Sequence, residues 1–262
     1  MISSDSRICL ASGFVVFIEQ APKYQLSHCL SPLHGNGPKW LLFTEFVEHY
    51  KLIGVEHFYV YVKDIDEYSA RVLNDYVRTG EIETTFLRTN DRPGGLYLRA
   101  TIRDCIHRSR HHSRYVIIGD LDERIVLSGT ETLTGYVTNV MTLHPNVASL
   151  RFKARYVVCT GHLPVYYNVM EMGVHRTRLL FSNYETFFVP VADAFIRHMR
   201  YPDRWTEREL PTILSYGKME TTNYPEHLMP VLYQRVKERL DRVYLVNSTT
   251  TQRLLAATIS TP

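Results

Sequence analysis

Three acidic residues directly follow a short apolar run near the middle of the chain. The run is Tyr115-Val-Ile-Ile-Gly119, and Asp120, Asp122 and Glu123 come immediately after it. Such a run predicts a strand buried along its length, and open α/β sheets bind their ligands at the carboxyl ends of strands. Carboxylate oxygens suit Mn²⁺ or Mg²⁺ carrying a diphosphate. The spacing therefore predicts a metal-dependent enzyme site at Asp120, Asp122 and Glu123.

A second acidic cluster in the chain has the same spacing. Lys63-Asp-Ile-Asp-Glu67 follows a strand-like run from Glu56 to Val62. Asp64 or Asp66 can cap the amphipathic segment that begins at Tyr68, so we interpret this cluster as a helix start. Roughly three acid-x-acid pairs arise by chance in a chain of this composition. A solvated turn after the strand therefore stays the alternative for the later cluster.

Length and composition indicate a globular chain with a substantial core. The 262 residues are 45% hydrophobic and 22% charged, with a formal net charge of +3. Lys and Arg are spread along the chain, which argues against a nucleic-acid partner. The densest basic run, Arg103 to Arg114, has helical periodicity and indicates a solvated helix face or, alternatively, a positive surface near a diphosphate. We interpret His107, His111 and His112 as a surface cluster.

The cysteines and the apolar runs constrain the type of site and the cellular setting. Cys9, Cys29, Cys105 and Cys159 include no close pair of the kind that zinc sites use. Two disulfides, one disulfide with free thiols, or four buried thiols all remain open. No run reaches the 18 or so apolar residues of a membrane span.

Strand-like and helix-like segments alternate along the first two-thirds of the chain, which predicts βαβ units and a largely parallel sheet. The expected strands are 24–29, 57–62, 82–87, 115–119 and 148–158. The expected helices are 40–53, 69–79, 97–110, 133–143 and, near the carboxyl end, 226–245. Glycine fingerprints for dinucleotides or ATP, a G-x-S-x-G elbow and zincin spacing are all missing from the sequence.

Several separated blocks, in order, resemble glycosyltransferase family 92, formerly a domain of unknown function abundant in nematodes. The resemblance runs from about Gln25 to Arg204. The blocks that carry it are Ser27–Gly35, Lys39–Tyr50, Gly54–Phe58, Asp104–Arg110, Asp120–Arg124, Met172–His175 and Arg197–Arg200.

The resemblance implies a GT-A-like fold, a Rossmann-type α/β nucleotide-sugar-binding sandwich with a mostly parallel central sheet. It also implies inverting transfer from a UDP-sugar, with galactose as the sugar and a glycan as the acceptor. By position, Asp120 would face the ribose and the metal, Asp122 would bind Mn²⁺ (or Mg²⁺) directly in the D-x-D motif, and Glu123 would support the site. His198 would be a late ligand to the metal or the diphosphate.

An inverting displacement also needs a base near the acceptor hydroxyl. Glu171, Glu185 and Asp193 are the candidates, and the sequence does not rank them. Members of the family are usually membrane-anchored proteins of the secretory pathway, so the Golgi is the expected location. In that lumen, Cys29 and Cys105 would be the pair to form a disulfide.

The resemblance divides the chain into three parts. Residues 1–24 are an amino-terminal extension or first strand, residues 25–245 the catalytic domain, and residues 246–262 a tail. Within the domain, 25–158 would be the nucleotide-sugar half and 159–245 the acceptor-side half. Thr160 to Asn168 does not match the expected block, and Met199 replaces an aromatic residue. A second hypothesis is therefore a catalytically silent member that binds carbohydrate or protein.

Overall fold

A seven-stranded sheet forms the centre of the described part of the chain. The structure is a computed structural model that describes residues 9–11, 14–16, 22–35, 37–87, 96–153, 164–165, 169–172, 177–180, 182–198 and 224–245. Its strands are β1 (Cys9–Ala11), β2 (Phe14–Val16), β3 (Tyr24–Leu33), β4 (His57–Val62), β5 (Ile82–Phe86), β6 (Ser113–Gly119), β7 (Glu123–Leu127), β8 (Val147–Arg151), β9 (Pro164–Val165), β10 (Val169–Met172), β11 (Thr177–Leu180), β12 (Glu185–Phe188) and β13 (Ala194–His198). Its helices are α1 (Trp40–Leu52), α2 (Glu67–Arg78), α3 (Leu96–Ser109), α4 (Leu133–Leu143) and α5 (Met229–Leu240), which a π-helical turn (Asp241–Leu245) follows.

The strand order of the sheet confirms the predicted α/β class. The order is β12-β8-β9-β6-β3-β4-β5, and every neighbouring pair is parallel except those that include the short strand β9. In the centre, β3 pairs with both β4 and β6. The carboxyl ends of these three strands therefore meet at one edge of the sheet, and β6 delivers the acidic residues there.

Both faces of the sheet are covered, as the side-chain alternation along the strands shows. On β4, Phe58 and Val60 belong to the larger core cluster, which includes residues of α1, α2 and α4, whereas Tyr59 and Tyr61 belong to a smaller cluster with α3. Successive strand residues point to opposite faces, so helices lie on both sides. All six residues of β4 are buried, as expected for a parallel strand between two helical layers.

Most of the predicted element bounds agree with the structure to within about two residues. Gly54 lies two residues beyond the end of α1 and has φ +103°, a conformation that suits glycine. Asp66 caps α2 by accepting a hydrogen bond from the Ser69 amide at 2.9 Å. This confirms the capping interpretation of the first acidic cluster.

Three predicted bounds are wrong or incomplete. β3 continues to Leu33, four residues past the predicted end. The long strand predicted over 148–158 ends at Arg151 in the structure, and residues 154–163 lie outside the described part. The predicted helix 226–245 is α5 followed by the π-helical turn.

Strand β7 was not predicted. It pairs with β13 in a separate two-stranded antiparallel sheet, in which Glu123 is opposite His198. Its sequence Glu-Arg-Ile-Val-Leu begins with two charged residues, which in a pattern analysis indicate solvent, yet all five residues are buried. The chain therefore enters the core again directly after the acidic residues Asp120 and Asp122.

Helix α5 is held against α2 by a buried arginine. Arg239 donates to Asp75 Oδ2 at 2.8 Å and to Glu81 Oε2 at 2.6 Å, and its guanidinium lies over the Tyr76 ring at 3.8 Å. Arg242 on the π-helical turn also donates to Asp75. Burial by itself would raise the pKa of Asp75. Hydrogen bonds from Arg242, Arg239 and also Arg78 outweigh this effect and lower the pKa to about 2.

A disulfide joins Cys29 on β3 to Cys105 on α3, which confirms the predicted pair. Both cysteines are buried, and the bridge connects residues 76 positions apart. It therefore fastens α3 to the strand beside β6. Within the part of the chain that the structure describes, no helix is long and apolar enough to cross a membrane.

We predict that Cys105→Ser lowers the free energy of unfolding by about 2–5 kcal/mol, because the cross-link restricts the unfolded chain. Thermal denaturation without reductant measures this. Reducing the wild-type protein should lower its melting temperature similarly, whereas the variant should not respond to reductant. Alkylation of both thiols in the unreduced wild-type protein would contradict the bridge.

Candidate functional site

The acidic turn, residues 120–123, connects the carboxyl end of β6 to β7. The Glu123 amide donates to the Asp120 carbonyl at 3.2 Å, and the Asp120 amide donates to Glu123 Oε2 at 3.3 Å. These two hydrogen bonds close the turn on itself. Asp120 and Asp122 are both partly exposed, at the edge of the sheet where the sequence predicted them. The site is therefore a tight turn above a buried strand.

Glu123 is 1% exposed, unlike the two aspartates. Its backbone carbonyl accepts a hydrogen bond from the Tyr50 hydroxyl at 3.2 Å, and its carboxylate lies inside the turn that it closes. This geometry suits the supporting role expected of Glu123. It does not place the carboxylate where a bound molecule would meet it directly.

His198 and Asp122 are brought together from positions 76 residues apart. His198 ends β13 and lies opposite Glu123 in the antiparallel pair. Its Nε2 is 3.2 Å from Asp122 Oδ2. The imidazole side chain is 5% exposed, whereas the Asp122 side chain is 35% exposed. The pair therefore combines a buried imidazole nitrogen, which could bind a metal ion, with a carboxylate that is accessible to solvent.

The donor chemistry of this pair fits a divalent metal that arrives with a nucleotide. Among the residues that the structure describes, no group of three or more His, Cys, Asp or Glu side chains is arranged to hold a metal ion. Metal–nucleotide sites commonly use only one or two carboxylates, with phosphates and water supplying the other ligands. Carboxylate oxygens suit Mn²⁺, and a neutral imidazole nitrogen is a common ligand of metal ions in proteins. Asp122 and His198, with Asp120 beside them, satisfy this requirement.

The structure does not bring the described base candidates to the acidic turn. Glu185 is the first residue of β12, so it lies on the amino-terminal side of the sheet, opposite the carboxyl ends where the acidic turn lies. It accepts a hydrogen bond from the Asn146 side-chain amide at 2.9 Å. Asp193 precedes β13 and accepts a hydrogen bond from the Tyr136 hydroxyl at 3.0 Å. It is roughly 16 Å from His198 along the strand. Glu171 is on β10, and its side chain lies outside the described residues.

The buried side chain that donates hydrogen bonds to the backbone of the turn was not predicted from the sequence. Arg124 is 1% exposed and donates to the carbonyls of Leu121 at 2.7 Å and Glu123 at 2.9 Å. It also forms an ion pair with Glu45 of α1. The sequence signal is an arginine directly before the apolar run Ile-Val-Leu: if such an arginine is buried with the strand, it needs a charged or hydrogen-bonding partner.

A buried histidine of α1 has a structural role. His49 is buried, and its ring nitrogens contact the Ile125 carbonyl at 3.0 Å and the Tyr224 hydroxyl at 2.8 Å. Burial, followed by the nearby positive charge of Arg124, lowers the pKa of His49 to about 3. His49 is therefore neutral at physiological pH.

The chain is similar to known proteins, and the family match covers a region that includes the acidic turn but not His198. The model of glycosyltransferase family 92 matches residues 24–168. A curated relative, the beta-1,4-galactosyltransferase galt-1 of Caenorhabditis elegans, is 25% identical over 209 residues, covering 69% of this chain and 49% of the relative. The chain thus spans about half the length of that relative.

Solved structures of low sequence identity are also similar. One is a mannosyltransferase from Pyrobaculum calidifontis in complex with GDP-Man and Mn²⁺, which is 11% identical. The match covers 92% of this chain and 82% of the mannosyltransferase chain, with a TM-score of 0.46. S. aureus TarS is 18% identical, covers 56% of this chain and 24% of its own, and has a TM-score of 0.38.

We predict that Gly119→Ala destabilises the turn, because a Cβ at this position would lie 3.0 Å from Nε2 of the buried His28 ring. Phe46 and Tyr50 pack against that ring, so it has little room to move. The expected cost is about 1–3 kcal/mol in urea unfolding. Gly129→Ala is the matched control, since nothing lies within 4 Å of its Cβ position. Equal unfolding free energies for the two variants would contradict this packing.

Proposed function

Because the chain belongs to glycosyltransferase family 92, we propose that it is a metal-dependent inverting enzyme that moves galactose from a UDP-sugar to a glycan acceptor. Family membership and the mostly parallel sheet support the GT-A-like fold expected from the sequence. The galactosyltransferase activity of the curated relative supports the choice of sugar. The observation that carries the proposal is the contact of Asp122 with His198 at the end of a buried strand.

In this proposal Asp122 and His198 bind the divalent ion, and Asp120 faces the ribose and the metal. When bound, the ion offsets the negative charge that develops on the departing diphosphate. The buried imidazole of His198 excludes water from its side of Asp122, which strengthens the electrostatic interactions there. Glu123 and the turn hydrogen bonds keep the two aspartates in place before the donor arrives.

The acceptor side of the mechanism needs a base that removes the hydroxyl proton. Glu171 is the one candidate of the three whose side chain the structure does not describe. Glu185 and Asp193 lie away from the acidic turn. Glu171 therefore becomes the first residue to test as the base, with Glu185 and Asp193 as comparisons.

A catalytically silent member is the second candidate function. The family match stops at residue 168, although the sequence resemblance extends to about Arg204. Most of the proposed acceptor-side half, residues 169–245, therefore lies outside the family match. Such a protein would bind a UDP-sugar, a carbohydrate or a partner protein without transfer.

We also propose that the protein works in the lumen of the secretory pathway, in the Golgi, as the family resemblance implies. The disulfide between Cys29 and Cys105 supports this location, since such bridges persist in oxidising compartments.

We predict that UDP binds the purified chain in the presence of Mn²⁺ and that EDTA abolishes this binding. Asp122→Asn should weaken Mn²⁺-dependent binding more than about tenfold, since even changes to residues that support metal ligands cost about 10–100-fold. Isothermal titration calorimetry measures both effects. Glu185→Gln is the matched control, because it neutralises a carboxylate at the opposite edge of the sheet.

The outcomes separate the two functions. Mn²⁺-dependent binding followed by turnover of UDP-galactose with a glycan acceptor supports the enzyme. Binding without turnover across an acceptor screen supports the silent member. A folded wild-type protein that binds no UDP in Mn²⁺ contradicts the donor site itself.

A further inference from the structure

Arg124 has an unusual position for a charged residue. Among the residues that the structure describes, it is the largest fully buried side chain, and its guanidinium lies over the Phe46 ring at 4.8 Å. A buried charge is costly unless it is paired and hydrogen-bonded. Glu45 provides the pairing: Arg124 Nε lies 3.2 and 3.1 Å from its two carboxylate oxygens, and Nη2 also donates to Oε2.

The remaining donors of Arg124 are directed at backbone carbonyls. Nη1 donates to Leu121 O and Glu123 O within the acidic turn, and Nη2 donates to Leu42 O of α1 at 3.3 Å. The Leu121 carbonyl belongs to the peptide group immediately before Asp122. Fixing that carbonyl inward fixes the peptide plane and, with it, the direction in which the Asp122 side chain leaves the backbone.

Arginine is the only side chain that can make this set of contacts. The guanidinium presents five N–H donors in one rigid plane, so one group reaches the carboxylate and three carbonyls together. A lysine ammonium keeps the charge but is a single point with three donors. It cannot bridge α1 and both carbonyls of the turn.

We propose that Arg124 and Glu45 form a positioning pair that holds Asp122 in the orientation required to bind the metal–nucleotide. This inference rests on the proposed function of Asp122. In this proposal neither residue contacts the nucleotide-sugar. Arg124 acts through the backbone of the turn, and Glu45 keeps the guanidinium paired and oriented. Glu45 is 25% exposed, and Glu45→Gln removes the negative charge of the pair while leaving an amide oxygen that can accept a hydrogen bond from the guanidinium.

Arg239 provides a matched control for Arg124. It is also a buried arginine with carboxylate partners, Asp75 and Glu81, and it also lies over an aromatic ring. Its ion pairs within the described part of the chain join α5 to Glu48 of α1, to Asp75 of α2 and to Glu81, the residue before β5, and none of them is to the acidic turn. Arg239→Lys therefore loses comparable packing and hydrogen bonding elsewhere in the fold.

The experiment compares Arg124→Lys, Glu45→Gln and Arg239→Lys in the full chain. Hydrogen exchange measured by mass spectrometry reports on the peptide that contains residues 120–123 without any ligand. We expect Arg124→Lys to accelerate exchange of the turn about tenfold, because its closing hydrogen bonds open more often. Arg239→Lys should accelerate exchange in α5 and leave the turn unchanged.

Calorimetry with UDP and Mn²⁺ provides the second measurement. Arg124→Lys should weaken binding about 10–100-fold, Glu45→Gln should act in the same direction by a smaller factor, and Arg239→Lys should stay within about twofold of wild type. If Arg124→Lys does not fold, Glu45→Gln alone decides the comparison with Arg239→Lys.

Three results would overturn the inference. These are wild-type exchange of the turn in the Arg124→Lys or Glu45→Gln variant, wild-type affinity in both variants, or equal losses of affinity in Arg124→Lys and Arg239→Lys. Should the wild-type protein bind no UDP, the proposed donor site fails, and the exchange measurement still decides whether Arg124 holds the turn.

Discussion

The burial of one guanidinium constrains the whole neighbourhood of the site. A positive charge that is removed from water needs hydrogen-bond acceptors nearby. For Arg124 these acceptors are oxygens of α1 and of the acidic turn that precedes it. Helix α1 in turn packs against the sheet through Phe43, Phe46 and Val47. The position of the acidic turn is therefore set by the core of the protein in addition to the turn's own hydrogen bonds. A surface loop with the same acidic residues would lack this support.

The second constraint is strand pairing. His198 comes beside Asp122 only because β13 pairs with β7 in the observed register, with His198 opposite Glu123. A slip by one residue would turn the alternate side chains of β13 to the other face and put Arg197 where His198 is. The buried residues of both strands oppose such a slip, since it would expose Ile196. Hydrophobic burial along β13 thus determines which side chain meets Asp122.

Local features of the fold could be predicted from sequence, whereas features that depend on distant partners could not. Strand β4, helix α2 and the Asp66 cap follow from short-range patterns and agree with the structure. Strand β7 was missed because Glu123 and Arg124 look solvent-exposed until their partners in α1 are known. The contact of His198 with Asp122 spans 76 residues, and periodicity carries no information about it. His198 was a candidate only through family resemblance, and so was the disulfide pair.

The two acidic clusters of the chain show why spacing alone is ambiguous. Both follow a buried strand of the same sheet at its carboxyl edge. After β4 a helix begins, and its unsatisfied amides draw the Asp66 carboxylate into a cap. After β6 a strand begins, so no helix amino terminus competes for Asp120 and Asp122. The chemistry available to an acidic cluster at a strand end therefore depends on the element that follows it. A helix uses a carboxylate to cap its amino terminus, and a strand does not.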